Sequence, residues 1–214
     1  MADMFRFADD LGPEKIVHIH RPSIGLKAIV VIDNTASGPA IGGTRMAPDV
    51  GVEECARLAR TMTLKNAAAG LAHGGAKSVI AGDPAMPLER KEEIIRAFVF
   101  AMRSLEEYIP GPDMGTNEQA MAWVKTEIGR AVGLPRVLGG IPLDEIGATG
   151  YGLAVAAEAA REFGGPRLNG ARIGVQGFGA VGQHAALSWR EGRGPGCGLG
   201  FACNDRQSRR TRYR

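Results

Sequence analysis

Two lysines, Lys65 and Lys77, frame a run of small residues and glycine: Lys65-Asn66-Ala67-Ala68-Ala69-Gly70-Leu71-Ala72-His73-Gly74-Gly75-Ala76-Lys77. Such a run lets the backbone approach a small molecule closely and offers little bulk around an ammonium group. Lys77 follows Gly74-Gly75-Ala76 and precedes the apolar Val79-Ile80-Ala81, whereas a surface lysine stands among polar neighbours. If both ammonium groups face one cleft, each disfavours the other's charge, and burial pushes the same way. One lysine can then exchange protons near neutral pH while the other stays charged and holds a carboxylate. The alternative is a pair of solvated lysines at the ends of a glycine-rich connection.

Three further stretches carry candidate chemistry. Tyr108-Ile109-Pro110-Gly111-Pro112-Asp113-Met114-Gly115-Thr116-Asn117 reads as a loop whose prolines and glycines fix the backbone around one carboxylate, Asp113. Thr116 or Asn117 can cap a helix beginning near Glu118, which accounts for part of this stretch and not for Asp113. The paired glycines Gly42-Gly43, with Ile41 before them, read either as a bend in a strand or as backbone exposed to a ligand beside an apolar contact. Gly177-Phe178-Gly179-Ala180-Val181-Gly182 falls between a strand, Arg172 to Gln176, and a helix, Ala180 to Trp189. In that context the glycines permit a tight turn, close pyrophosphate approach and helix-strand packing, with phosphate at the helix N-terminus. His18 and His20 lie two apart on a strand, but no third ligand accompanies them, so no metal site is expected.

The elements that must position these groups follow from periodicity. Strands are expected over Glu14 to Ile19 and Lys27 to Asp33, with strand character across residues 38–45 and again from Ser78 to Ala81. Glu53 to Lys65 has helical spacing through Cys55, Leu58, Ala59 and Met62, and it delivers Lys65 at its C-terminal end, which also suits the helix dipole. Leu88 to Leu105 reads as a long amphipathic helix, and an alanine-rich helix runs from Gly147 to about Phe163. At 214 residues with 44% apolar composition, the chain suffices for one large domain or two small ones.

The net charge of +3 is uneven, because residues 189–214 alone carry seven arginines against Glu191 and Asp205. The rest is slightly acidic, which gives nucleic-acid binding little support. The three cysteines match no disulfide framework, and Cys55 falls on the apolar side of its helix. There is no leader-like N-terminus and no run of about 18 apolar residues, so the expected location is the cytoplasm, away from membranes.

Taken in order, Gly42-Gly43-Thr44-Arg45, Met62-Thr63-Leu64-Lys65-Asn66, Gly74-Gly75-Ala76-Lys77, Pro112-Asp113-Met114-Gly115-Thr116, Ala148-Thr149-Gly150-Tyr151-Gly152 and the glycine fingerprint resemble the glutamate/leucine/phenylalanine/valine dehydrogenases over about residues 14 to 188. The resemblance implies oxidative deamination of an L-amino acid to a 2-oxo acid and ammonia, with hydride passing to NAD or NADP. It also implies a homo-oligomer with its active site in the cleft between two domains. It assigns Lys65 to the substrate α-carboxylate, Lys77 to activation of water, and Asp113 to proton exchange with the substrate nitrogen. Thr149 is placed near the nicotinamide, and Gly177, Phe178, Gly179, Ala180, Val181 and Gly182 around the cofactor phosphates. Glutamate-specific members place a lysine just before the glycine pair, where this chain has Ile41. An unpaired second carboxylate would be desolvated there, so an apolar side chain such as that of leucine, valine or phenylalanine is favoured over glutamate.

The expected architecture is α/β. Residues 1–145 form a substrate and dimerisation domain with a mixed sheet and flanking helices, 146–190 begin an incomplete Rossmann domain, and 191–214 form an atypical Arg/Gly-rich tail. A Rossmann unit commonly carries an acidic ribose ligand about 20 residues past the fingerprint. Asp205, after a weak strand candidate from Leu199 to Cys203, is the available residue. The abrupt change of composition reads as a frameshifted end or as a charged, disordered arm. A catalytically inactive remnant that keeps only its ability to associate is the alternative reading.

Overall fold

The computed structural model describes residues 5–165, 168, 171–190 and 201–204. The chain divides into two compact units, Met1–Ile141 and Pro142–Arg214.

The first unit is built on a five-stranded mixed sheet in the order β1-β2-β4-β3-β5. Its strands are β1 (Lys15–Arg21), β2 (Leu26–Asn34), β3 (Ala40–Ala47), β4 (Gly74–Ala81) and β5 (Tyr108–Pro112), with helices α1 (Val52–Ala68), α2 (Leu88–Ala101) and α3 (Glu118–Ile128). β1 and β2 are antiparallel, as are β2 and β4, whereas β3 runs parallel to both β4 and β5.

Alternation along the strands divides the sheet into two faces. Val30, Ile32, Ala76, Ile80, Ala40, Met46 and Tyr108 pack with α2 and α3 into the main core. Val31 and Val79 turn the other way, against Cys55, Ala56 and Ala59 of α1. Lys77 is offset by two from Val79 and therefore belongs to the α1 face. Its carbonyl accepts the Cys55 thiol at 3.4 Å, and burial pushes that thiol up to about 12, so it is a packed neutral group.

Three expectations are corrected. Gly74 to Lys77 is not a connection but the first half of a central strand. Its glycines are dictated by neighbours: a Cβ on Gly74 would fall 1.8 Å from Asn34 O, and one on Gly75 would fall 2.0 Å from Thr63 N. Tyr108 to Pro112 is likewise not loop but an edge strand, where Pro110 and Pro112 have no outer partner to which a missing N–H would matter. Gly42-Gly43 makes no bulge, since β3 keeps one register with β4 from Ala40↔Gly74 to Ala47↔Ala81. In addition, α2 ends at Ala101 rather than near Leu105.

The second unit contains α4 (Ala148–Ala159), a short 3-10 turn over Ala160–Phe163, β6 (Ile173–Gln176), α5 (Ala180–Arg190) and β7 (Phe201–Asn204), with β6 and β7 parallel. Ala154 of α4 packs with Ala185 and Trp189 of α5, with Ile173 and Val175 of β6 alongside. Asp205 and most of the Arg/Gly-rich tail lie outside the described residues. Among the described residues, no helix is long and apolar enough to cross a membrane.

The closest approach in the sheet is at Gly42, where a Cβ would stand 1.7 Å from Ala76 O. Gly42→Ala must push β3 and β4 apart and should cost about 3 kcal/mol. The expected result is a lower urea midpoint with an unchanged m-value.

Candidate active site

The site-bearing face of β3 presents Ile41, Gly43 and Arg45, each two residues from the next. Gly43 is the position that matters for space. A Cβ there would stand 2.8 Å from Asp113 Cβ and 3.0 Å from Lys77 Nζ, so a side chain at 43 would occupy the room the two charged groups share.

Into that room β4 sends Lys77, whose side chain is 7% exposed, and the end of β5 sends Asp113, whose side chain is 19% exposed. Lys77 Nζ lies 2.5 Å from Asp113 Oδ2. The partner of this ammonium is thus a carboxylate, while Lys65 stands exposed in the last turn of α1, which runs on past it to Ala68.

Arg45 closes the cluster, donating from Nε to the same Oδ2 at 3.0 Å, while its Nη1 pairs with Glu54 in the first turn of α1. Burial alone would push the Asp113 carboxyl up. The Lys77 hydrogen bond and charge, the Met114 N–H and the Arg45 charge outweigh it, so its proton affinity falls below the usual carboxylate value.

The loop that carries Asp113 is fastened to β3. The Thr116 hydroxyl donates to Thr44 O at 2.7 Å and accepts from the Asp113 N–H at 3.0 Å, and the Met46 N–H donates to Met114 O. Asn117 caps α3 by accepting from the Ala120 N–H, as the sequence suggests. Behind the site, on the core face, the buried Ser78, Thr44 and Tyr108 hydroxyls form a hydrogen-bonded chain, and Tyr108 donates to Gly42 O.

α1 is anchored at its C-terminal half by polar contacts. Arg60 Nε and the Thr63 hydroxyl both donate to Asp33 Oδ2, and Asn66 Nδ2 donates to Gly74 O at 2.7 Å. Arg60 also reaches Asp9 with both terminal nitrogens. These groups fix the helical turns that carry Lys65.

In the second unit the three glycines of the fingerprint have three different environments. Gly177 adopts φ +82°, a conformation that favours glycine, at the turn out of β6. Gly179 has no heavy atom of the described residues within 4 Å of an added Cβ, leaving its backbone open to a ligand. Gly182 packs so closely that a Cβ would stand 2.1 Å from Gly177 O. Phe178 O accepts Gln183 Nε2, and Ala180 and Val181 open α5. This cradle fits a dinucleotide pyrophosphate. Thr149 is exposed in the first turn of α4.

His18 and His20 are exposed on the edge strand β1, and no group of three His, Cys, Asp or Glu residues suited to a metal ion occurs among the described residues. Neither Arg45 nor Glu54 has a role assigned by spacing or by the family resemblance. The signal was present for Arg45, which lies two residues beyond Gly43 and so on the same strand face. Glu54 depends on how α1 docks, which spacing does not reveal.

The family model described as Glu/Leu/Phe/Val dehydrogenase, dimerisation domain, matches residues 13–130, and the one described as Glutamate/Leucine/Phenylalanine/Valine dehydrogenase matches 139–194. The chain belongs to this family. It is 38% identical over 188 residues to a leucine dehydrogenase of Bacillus subtilis, covering 84% of this chain and 50% of the relative. Against a valine dehydrogenase of Streptomyces virginiae it is 38% identical over 184 residues, covering 83% and 51%. Among solved structures, the hetero-hexameric glutamate dehydrogenase of Thermus thermophilus in a Leu-bound form superposes with a TM-score of 0.75 at 32% identity, covering 89% of this chain and 50% of that one. The glutamate dehydrogenase of Peptoniphilus asaccharolyticus gives 0.72 at 33% identity, covering 92% and 54%. The chain thus spans about half the length of the relatives it matches.

Because ionised Asp113 favours the folded state, its contribution is present at neutral pH and is lost as pH falls through its depressed folded-state value. Asp113→Asn should therefore be less stable than the wild type at pH 7, and the gap should close as pH falls through and below the usual carboxylate range. Urea midpoints taken at stepped pH test this.

Proposed function

We propose that this chain takes part in the NAD(P)-dependent oxidative deamination of an L-amino acid to its 2-oxo acid and ammonia. The observation that carries this reading is the contact of Lys77 with Asp113 in the space left by Gly43. A buried ammonium against a carboxylate, beside backbone with no side chain, is suited to moving protons at a small substrate.

Lys65, cationic at the C-terminal end of α1, holds the substrate α-carboxylate. Asp113 exchanges protons with the substrate nitrogen. Lys77 gives its own proton to solvent and then takes one from the water that attacks the oxidised Cα, and the resulting carbinolamine collapses to the 2-oxo acid and ammonia. When bound, NAD or NADP accepts the hydride leaving Cα. Gly177, Gly179 and Gly182, with the N-terminus of α5, would hold its pyrophosphate, and Thr149 would lie near the nicotinamide. The family assignment and the fit of the glycine cradle support the nicotinamide cofactor.

Ile41 shares a strand face with Gly43 and Arg45 and is half-buried. It offers the substrate side chain an apolar wall with no cation for a second carboxylate, which favours leucine, valine or phenylalanine over glutamate. The names of the matching leucine and valine dehydrogenases support the same preference. The first unit's match to a dimerisation domain supports a homo-oligomer, and the free, buried Cys55 suits the reducing cytoplasm.

Two measurements test the reading. With saturating NAD, kcat/KM for L-leucine should exceed that for L-glutamate by about a hundredfold; a higher value for glutamate refutes the substrate preference. Lys77→Ala should lower turnover by about a thousandfold with an unchanged circular dichroism spectrum, and activity within tenfold of wild type refutes its role. A wild-type chain that assembles but fails to bind NADH instead supports a non-catalytic assembly role.

A further inference from the structure

We propose that Arg45 is a positioning residue that holds the Asp113 carboxylate in place, as an anion, through the part of the cycle in which Lys77 is neutral. The inference rests on the reading of Lys77 and Asp113 as the proton-exchanging pair.

A lysine that activates water must first shed its proton. In a contact of 2.5 Å with the Lys77 side chain 7% exposed, this deprives Asp113 of its nearest cation while leaving it desolvated. A carboxylate in that state gains proton affinity. If Asp113 then took up a proton, both members would be neutral, and the carboxylate needed at the substrate nitrogen would be gone.

Arg45 removes this hazard. Its Nε donates to Oδ2, the same oxygen that Lys77 touches, and its side chain is 16% exposed. A guanidinium does not deprotonate at working pH, so its charge persists in both states of Lys77. Its far end is held by Glu54 of α1, which fixes the direction of Nε. Glu54 is 40% exposed, so water screens its opposing charge, whereas the contact with Asp113 is direct.

The groups facing Asp113 are few. Lys77 comes from β4, Arg45 from β3 and the Met114 N–H from its own loop. The nearby buried groups add no charge: the Cys55 thiol of α1 lies against the Lys77 carbonyl, the Tyr108 hydroxyl of β5 lies on the opposite face of the sheet, and burial keeps both neutral. Once Lys77 is neutral, Arg45 is the one charged group left in direct contact with the carboxylate among the described residues.

The test is a ¹³C-carboxyl NMR titration of the full chain, with the Asp113 signal assigned by its loss in D113N. Lys77→Gln mimics the neutral lysine. In this variant Asp113 should still be an anion at pH 7, and adding Arg45→Gln should raise its midpoint by about two units. A Lys77→Gln midpoint above 7, or a double variant in which it does not move, overturns the proposal. Should the double variant fail to fold, the ¹⁵Nε shift of Arg45 in Lys77→Gln must follow the Asp113 midpoint; a flat response refutes the coupling. Arg45→Lys restores a charge and should bring the midpoint most of the way back, which a purely structural role does not require. None of these titrations needs turnover, so a chain unable to oxidise amino acids would sink the proposed reaction and leave the role of Arg45 to be decided by the spectra.

Discussion

Where β3 passes between β4 and β5, its backbone has to come so close to both neighbours that no side chain fits at residues 42 and 43. This constraint has two products. On the core face, the carbonyl of Ala76 occupies the place a Cβ would take on Gly42, which locks β3 to β4. On the opposite face, the missing side chain of Gly43 leaves the volume in which Lys77, Asp113 and Arg45 meet. Taking three charged groups largely out of water is costly unless each is paired, and here one carboxylate oxygen answers two cations while Glu54 answers the second end of one of them. Packing and electrostatics therefore depend on the same two residues.

The sheet divides its labour between its faces. Large apolar residues, with Phe98, Tyr108 and Ile95 among the fully buried ones, are concentrated between the sheet and α2 and α3. The α1 face uses small residues for its apolar part and polar anchors beyond it. A helix held by Cys55, Ala56 and Ala59 lies close to the strands. Arg60, Thr63 and Asn66, three residues apart, then fix its rotation by hydrogen bonds to two different strands. Hydrophobic contact alone is indifferent to such rotation, so the polar half of the interface gives the turn bearing Lys65 a defined orientation.

Much of this was legible from the sequence, for reasons that differ by element. α1 announces itself through apolar spacing, and α3 through the capping chemistry of Asn117 at its start. The fingerprint could be read because strand, glycines and helix follow in order, and the separate environments of Gly177, Gly179 and Gly182 match the three tasks such glycines perform. β5 and the first half of β4 were misread because glycine and proline weaken strand propensity. They are tolerated there because one strand is at an edge and the other is packed so tightly that neighbouring backbone takes the place of side chains. The pairing of Asp113 with Lys77 could not be read from spacing, since it arises from strand order. Parallel strands far apart in sequence become neighbours through β3, which reaches both.

The hydroxyl chain on the core face bears on the charged face through the thickness of the sheet. Tyr108 lies five residues before Asp113 on the same strand segment, and its hydroxyl is tied to Gly42 O and to Ser78, which is adjacent in sequence to Lys77. Sliding β5 along β3 by one residue would carry Asp113 about 3.3 Å from Lys77. The same slide would tear the phenol from both of its partners in a place water does not reach, stranding buried polar atoms. The back of the sheet thus acts as a latch against shear. A few neutral hydroxyls, none of them in contact with the carboxylate, set the tolerance to which the ionic contact in front is held.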